Sequence, residues 1–339
     1  MWPLTHYLLR HRFQAIILTF LIAYIPVLGM ASILIAALVT LCVSVLEGAA
    51  FTLVATLPYL LVFMMGAQQT EVVTLMVWTT VLLTVISNVV TFAFAVLLRR
   101  QWSWSEIIQI GALIGVLVIS VVHLMYPEVS DWWTKQLTLF YNQSADLAGL
   151  AKTGPQSGQI AAPQGDNPVE AINTIRYFAT GIITVFVLFT AFIQVILARW
   201  WQIVFVNGSR IGKELQYIRL SRLAGILFLA GMILCYLENQ VVLDILPVLC
   251  LLFSAAGLSL THYLCGLMEP SRGRFWLSIL YVALIYSLTM MAMLPLFSVL
   301  NIMLPVVLAV LIFVASMFAF VSLGFLDVWF DLRKRIQKA

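Results

Sequence analysis

Long apolar runs recur along almost the whole chain, and they constrain its fold more than any other feature. Most runs reach the roughly 18 to 20 residues that a helix needs to cross a hydrocarbon core about 30 Å thick. Only 9% of the 339 residues are charged, whereas a water-soluble chain carries about a quarter. In lipid the backbone must satisfy its own hydrogen bonds, so only helices and closed barrels cross a membrane. Because the runs are continuous rather than alternating, we predict an all-α polytopic transmembrane helical bundle.

Proline, glycine and charged residues divide the chain into about ten predicted crossings. They lie near residues 13–27, 29–46, 48–66, 71–98, 105–126, 172–199, 222–239, 243–267, 275–297 and 302–326. The first three are separated by very little, so short or broken helices and a total of nine crossings are also open. With the N-terminus in the cytoplasm, all of the 18 basic residues except Lys135, Lys152 and Arg176 fall inside, as the positive-inside rule requires. We therefore predict a bacterial inner-membrane protein with both termini in the cytoplasm and no nucleic-acid partner.

Three segments complete the predicted organisation, which is a single integral membrane domain over residues 1–339. The hydrophilic segment 127–171 lies outside and opens with EVSDWWTKQLTLFYNQSADLAGLAK, a pattern typical of an amphipathic helix on the outer leaflet. It continues with TGPQSGQIAAPQGDNP, whose composition predicts a mobile loop. Both a plain connector and a lid over an outward pocket are consistent with it. Residues 207–221 predict a short amphipathic helix on the cytoplasmic surface, because Ile211, Leu215 and Ile218 share one helical face.

Cysteine usage gives no indication of a metal or a disulfide framework. Cys42, Cys235, Cys250 and Cys265 all fall inside apolar runs, and no pair has the spacing of metal ligands. We interpret them as small packing residues, and no metal or other cofactor is predicted.

A cluster of charged and aromatic residues is predicted at the cytoplasmic ends of several spans. Asp327 and Asp331 are four residues apart on one helical face, where a helix C-terminus disfavours acids. We therefore expect them to have basic partners at the same depth, and in particular we expect Arg199 to contact the acids at the end of the tenth span. Trp200 and Trp201 are typical of an interfacial aromatic belt. The complete predicted docking face consists of Arg199, Trp200, Trp201, Glu214, Arg219, Arg272, Arg274, Asp327 and Asp331.

Several motifs in the chain resemble those of the YybS-like family of uncharacterised bacterial multi-spanning membrane proteins. The matching elements are ARWWQ at 198–202, GLxLxH at 257–262, GRxWLxxxY at 273–281 and LGFxDxWxDxRxR at 323–335. In the opening spans, IPVLGMASILIAALVTL at 25–41 and EGAAF at 47–51 are also similar. The family is grouped by fold with the substrate-binding S-components of energy-coupling-factor vitamin transporters. The resemblance thus implies an S-component-like fold, although S-components use about six spans.

The function that this resemblance implies is binding of a small molecule, as a transport-related subunit without catalysis. The chain lacks the phosphate-binding GxxxxGK[ST] motif, so ATPase and coupling membrane subunits would be separate partners. Polar residues chosen by depth predict the ligand site, namely His123, Arg176, Glu238, Asn239, Asp244 and His262. His262 lies within a span, where it could face a cavity or simply bond to neighbouring helices.

Two other functions were weighed against small-molecule binding. The alternative is a membrane scaffold that docks a partner through the cytoplasmic Arg/Asp face without transport, because the motif residues lie mostly on that side. An intramembrane enzyme is not expected, since the sequence contains no HExxH, no GxSxG and no pair of mid-span aspartates.

Overall fold

The computed structural model describes residues 10–25, 29–66, 71–152, 168–207, 214–268, 270–292 and 304–338. These residues form helices and connecting turns, with no strand among them. The helices are α1 (Arg12–Ala23), α2 (Gly29–Cys42), α3 (Val45–Gly66), α4 (Glu71–Arg99), α5 (Trp104–Met125), α6 (Val129–Lys152), α7 (Pro168–Ile175), α8 (Ala179–Gln202), α9 (Arg222–Tyr236), α10 (Gln240–Leu267), α11 (Pro270–Ala292), α12 (Leu304–Phe330) and α13 (Leu332–Lys338). A π-helical turn, Ile203–Asn207, follows α8.

Five of the described helices are long and apolar enough to cross a membrane. They include the segments Trp78–Arg99, Trp104–Met125, Ala179–Phe205, Gln240–Leu267 and Ala309–Phe330. Polar hydroxyls within the apolar helices bond to their own backbone: Thr19 donates to the Ala15 carbonyl at 2.7 Å and Thr91 to the Ser87 carbonyl at 2.8 Å. Such bonds let a hydroxyl sit in an apolar surrounding without an unsatisfied donor. The prediction of an all-α membrane protein is therefore confirmed.

The number of crossings remains a prediction. Helices α1, α2 and α9 have 12, 14 and 15 residues, which is fewer than the roughly 17 to 25 that a complete crossing needs. Short helices were one of the two outcomes left open for the first spans. The predicted mobile stretch at 153–167 lies outside the described residues.

The chain divides into two compact units, and each is described by itself. The first contains the described parts of Met1–Gly111, Phe186–Ile226 and Cys250–Ala339, and the second those of Ala112–Val185 and Leu227–Leu249. In the first unit, α1, α2 and α3 pack on one another, and α4 packs on α2 and α3. Their core contains Ala15, Ile33, Ile35, Ala36, Val39 and Phe51.

Two glycines allow α10 and α12 of the first unit to approach closely. A Cβ atom on Gly257 would collide with the Phe320 carbonyl oxygen, and one on Gly324 would collide with that of Phe253. Small residues at a helix crossing let the backbones come together in this way. The crossing positions the end of α12, which carries Asp327, against the part of α10 that follows Gly257.

The second unit contains α6 and α7, which contact each other. Helix α6 confirms the helix predicted from EVSDWWTKQLTLFYNQSADLAGLAK, although its place on a leaflet stays a prediction. Its Trp133 Nε1 donates to Thr180 Oγ1 at 3.0 Å, which ties α6 to the start of α8.

Candidate functional site

An irregular segment, residues 214–221, lies at the centre of the polar part of the first unit, and we call it the strap. Only Glu214 and Leu215 are helical, and residues 218–221 have no regular structure. A non-helical backbone needs partners outside itself, and three helices supply them. Ser105 Oγ accepts from the Arg219 N–H at 2.8 Å, Gln109 Oε1 from the Ser221 N–H at 3.2 Å, and Ser259 Oγ from the Ile218 N–H at 3.1 Å.

The strap differs from the amphipathic surface helix predicted over 207–221. Ile218, which was predicted on its apolar face, is only 6% exposed. Residues 208–213 lie outside the described part of the chain. Within 214–221, side chains of α5 and α10 take the backbone hydrogen bonds that a helix would have made internally, and the helical spacing of apolar residues could not reveal this.

Arg333 fixes the strap from the other side. Its guanidinium donates to the carbonyl oxygens of Gln216 and Ile218, the latter at 2.9 Å, and to Ser259 Oγ at 3.2 Å. Arg333 reaches these acceptors because the chain reverses at Asp331, a non-glycine residue with φ of +48° between α12 and α13. Sequence analysis missed Arg333, although it belongs to the LGFxDxWxDxRxR motif.

The aspartates at the end of α12 both have basic partners, as predicted. Asp331 pairs with Arg219 and with Lys334, the latter at 2.9 Å, and Asp327 Oδ2 lies 3.2 Å from Arg333 Nε. We call Arg219, Asp327, Asp331 and Arg333 the Arg–Asp cluster. Burial lowers the pKa of Arg333, while the charge of Asp327 raises it and that of Arg219 lowers it further. Asp327 and Arg333 therefore form a buried ion pair in which each side chain depends on the other.

A cavity of about 170 Å³ opens beside this cluster. Its walls include the charged residues Arg219 and Asp327 and the apolar residues Leu220 and Val328. Asp327 is 6% exposed, and its Oδ1 atom has no hydrogen-bond partner in the described part of the chain. A buried acceptor without a donor costs free energy, so this oxygen is a natural contact point for a bound molecule.

Arg199 contacts Glu214 rather than the acids of α12, so the predicted contact with Asp327 is wrong. Its Nη2 lies 2.7 Å from Glu214 Oε1 and its Nε lies 3.2 Å from Oε2, and Trp104 Nε1 also donates to Oε2 at 3.2 Å. Burial alone would raise the pKa of Glu214, but these hydrogen bonds and the charge of Arg199 together lower it. Glu214 is fifteen residues after Arg199 in sequence and satisfies it within the strap, which leaves Asp327 to Arg333.

The remaining residues of the predicted docking face lie in different surroundings. Trp200 is 47% exposed, as an interfacial anchor would be, whereas Trp201 packs against the core of α1–α3. Arg272 and Arg274 are exposed near the start of α11. The structure therefore brings together Arg219, Asp327 and Asp331 of the predicted set, and separately Arg199 and Glu214.

In the second unit, two of the predicted ligand-binding residues contact each other. His123 Nε2 lies 3.0 Å from Asp244 Oδ2, and both side chains are buried. The Gly181 N–H donates to Asp244 Oδ1 at 2.6 Å. Both oxygens of Asp244 are thus used by the fold, which explains how a carboxylate is accommodated among apolar helices.

Three other predicted ligand-binding residues also have structural partners or positions. Arg176 contacts Asp131 at 3.3 Å and lies over the Tyr177 ring at 4.5 Å. Asn239 Oδ1 accepts from the Val242 N–H at 3.2 Å and so caps the start of α10. Glu238 is exposed and has φ of +56° at the turn before that helix.

His262, the sixth predicted ligand-binding residue, belongs to the first unit. Its Nε2 atom contacts the hydroxyl of Tyr281 on α11, and its carbonyl oxygen accepts from Gln216 Nε2 at 3.4 Å. A contact with a neighbouring helix was one of the two readings left open for this residue. Within the described parts of the chain, no group of three or more His, Cys, Asp and Glu residues could hold a metal ion.

The fold and its apolar helices define the class of this molecule, which is an all-α membrane protein. Comparison of the chain with protein-family models, with curated proteins and with solved structures finds no match to any of them. The argument for a function therefore rests on the geometry of the chain itself.

Proposed function

We propose that this protein is a non-catalytic subunit of a bacterial inner-membrane assembly that binds a small molecule, in a transport-related role resembling that of S-components. The observation that carries the proposal is the cavity beside the Arg–Asp cluster. It combines a buried carboxylate oxygen that lacks a partner in the described structure with a guanidinium and two apolar side chains. Convergent polar groups in a concave, partly apolar site are typical of small-molecule binding.

This cavity replaces the ligand site that the sequence predicted. His123 and Asp244 satisfy each other, and Asn239 caps a helix, so binding a ligand there would require breaking contacts of the fold. Asp327 Oδ1 can accept a hydrogen bond without giving up its contact with Arg333, which uses Oδ2. The separate ATPase and coupling membrane subunits that the resemblance implies would supply the energy for any transport.

The test is purification of the tagged protein in mild detergent, followed by quantitative mass spectrometry of the retained proteins and small molecules. A bulkier side chain in the cavity wall, Leu220→Phe, should fill the cavity without changing any charge. The matched control is Leu223→Phe, because Leu223 is 70% exposed and does not line the cavity. We expect the original chain and the control to retain a small molecule, together with an ATPase and a coupling subunit in fixed ratio, and Leu220→Phe to lose the small molecule.

The alternative, a scaffold that docks a partner protein, is favoured by the exposed arginines near the start of α11, Arg272 and Arg274. A scaffold would retain a partner protein that is lost on the double substitution Arg272→Glu and Arg274→Glu. Leu220→Phe would leave that partner in place. Recovery of neither a small molecule nor a transport subunit would contradict the proposed function.

A further inference from the structure

The walls of the cavity indicate which kind of molecule it binds, and this inference rests on the proposed function. One wall presents an acceptor, Asp327 Oδ1, which needs a donor. Another presents Arg219, whose Nη2 contacts Asp331 and whose Nε and Nη1 have no hydrogen-bond partner among the described residues. A molecule that offered only a donor or only an acceptor would satisfy one wall and desolvate the other. The occupant should therefore carry both.

The charges of the Arg–Asp cluster are already balanced. Two carboxylates face two guanidiniums within it, and Lys334 contacts Asp331 at the exposed edge. A ligand with a net charge would disturb this balance at a partly buried site, where an unpaired charge is costly. A zwitterion adds no net charge, and its ammonium and carboxylate groups can each form a charge-assisted hydrogen bond.

The size and the apolar walls of the cavity narrow the choice. An apolar cavity of about 150 Å³ binds benzene, so about 170 Å³ accommodates a molecule of roughly six heavy atoms, as in alanine. Leu220 and Val328 provide a surface for a methyl group or a short methylene chain. We propose that the cavity binds a small zwitterion, with its ammonium group donating to Asp327 Oδ1 and its anionic group accepting from Arg219.

Two sources supply this chemistry, a free amino acid of the size of glycine or alanine and the ethanolamine headgroup of a phospholipid. Both pair a primary ammonium with a nearby anion. A trimethylated ammonium has the same charge but no N–H donor, so it should not satisfy Asp327 Oδ1.

The experiment measures binding of alanine to the full-length protein in detergent by equilibrium dialysis and by the rise in thermal stability that a ligand causes. Lactate, which lacks the ammonium group, and sec-butylamine, which lacks the carboxylate, are the matched probes. Each should bind at least roughly tenfold more weakly than alanine, because each loses a hydrogen bond to a charged group. In a second arm, vesicles of phosphatidylethanolamine and of phosphatidylcholine are compared for stabilisation of the reconstituted protein.

Two variants keep the result interpretable. Asp327→Asn should weaken zwitterion binding at least roughly tenfold, but it also removes the partner of Arg333 and can impair folding. Leu220→Phe leaves every charge in place and should abolish binding, whereas Leu223→Phe should not change it. Stabilisation by phosphatidylethanolamine alone would assign the site to the lipid headgroup, and binding of alanine would assign it to a free amino acid.

Each remaining outcome counts against one proposal at a time. Equal binding of alanine, lactate and sec-butylamine, or no response to alanine or phosphatidylethanolamine, would overturn the zwitterion inference. Recovery of transport subunits with a retained molecule of another class would overturn it while leaving the proposed function intact. Zwitterion binding without any transport subunit would leave the site and contradict the transport role.

Discussion

Replacing Arg333 with methionine tests whether the strap depends on this one side chain. Methionine has a similar length but no donor, so Gln216 and Ile218 would each lose a hydrogen bond from a buried guanidinium. Asp327, whose side chain is 5% exposed, would lose its cation.

The expected loss follows from the buried charge more than from the number of hydrogen bonds. Hydrogen bonds between helices in a membrane are worth about 0.6 kcal/mol each on average, which gives only about 2 kcal/mol for three. Removing one partner of a buried ion pair costs about 3–5 kcal/mol. Because these contributions overlap, we expect Arg333→Met to lower the free energy of unfolding by about 4 kcal/mol.

The measurement is reversible unfolding in mixed detergent micelles, followed by tryptophan fluorescence. Arg335→Met is the matched control, because Arg335 lies two residues further on the same helix and is exposed, and it should change stability by less than about 0.5 kcal/mol. Adding Asp327→Asn to Arg333→Met should restore part of the loss, since no unpaired charge then remains. A loss below about 1 kcal/mol for Arg333→Met would show that the buried contacts described here do not hold the strap.

Four further predictions concern the other contacts of the two units. Arg199→Ala and Asp327→Ala should have additive effects on thermal stability, whereas Arg199→Ala and Glu214→Ala should be non-additive, because only the second pair is in contact. The pKa of Glu214 is lowered in the folded protein, so its contribution to stability should be present above the ordinary glutamate pKa of about 4.3 and lost as the pH falls below it; Glu214→Gln should flatten this part of a stability-versus-pH curve. Glu238→Gly should stabilise the protein by about 1 kcal/mol, because glycine adopts a φ of +56° without strain, and Glu238→Ala should give no such gain in the same unfolding assay. Gly181→Ala should lower the melting temperature, since its Cβ atom would collide with the Asp244 carbonyl oxygen, and an unchanged melting temperature would contradict that packing.

The sequence predicted the helices well because their apolar periodicity and their punctuation are local features. The segments around residues 71–98, 105–126 and 243–267 correspond closely to α4, α5 and α10. The basic partners of the acids at the end of α12 were also predicted in kind, because acids at a helix C-terminus need compensation.

Which residue pairs with which could not be predicted from the sequence. Arg199 is close to Glu214 because the strap turns back toward α8, and the strap is irregular because side chains of α5 and α10 take its backbone hydrogen bonds. These are long-range effects that no periodicity in 207–221 encodes. Likewise, the left-handed turn at Asp331 directs Arg333 to the strap, and an aspartate gives only a weak local indication of such a turn.

The strap also has a consequence for the order of events during synthesis. The Ile218 carbonyl oxygen and the Arg333 guanidinium that donates to it are 115 residues apart. At roughly 5–20 residues per second, the ribosome makes the acceptor roughly 6 to 23 seconds before it makes the donor. Throughout that interval α8, α9 and α10 can enter the membrane, but the strap between α8 and α9 has no arginine to close it. The final arrangement of the first unit is therefore completed by one of its last-made helices.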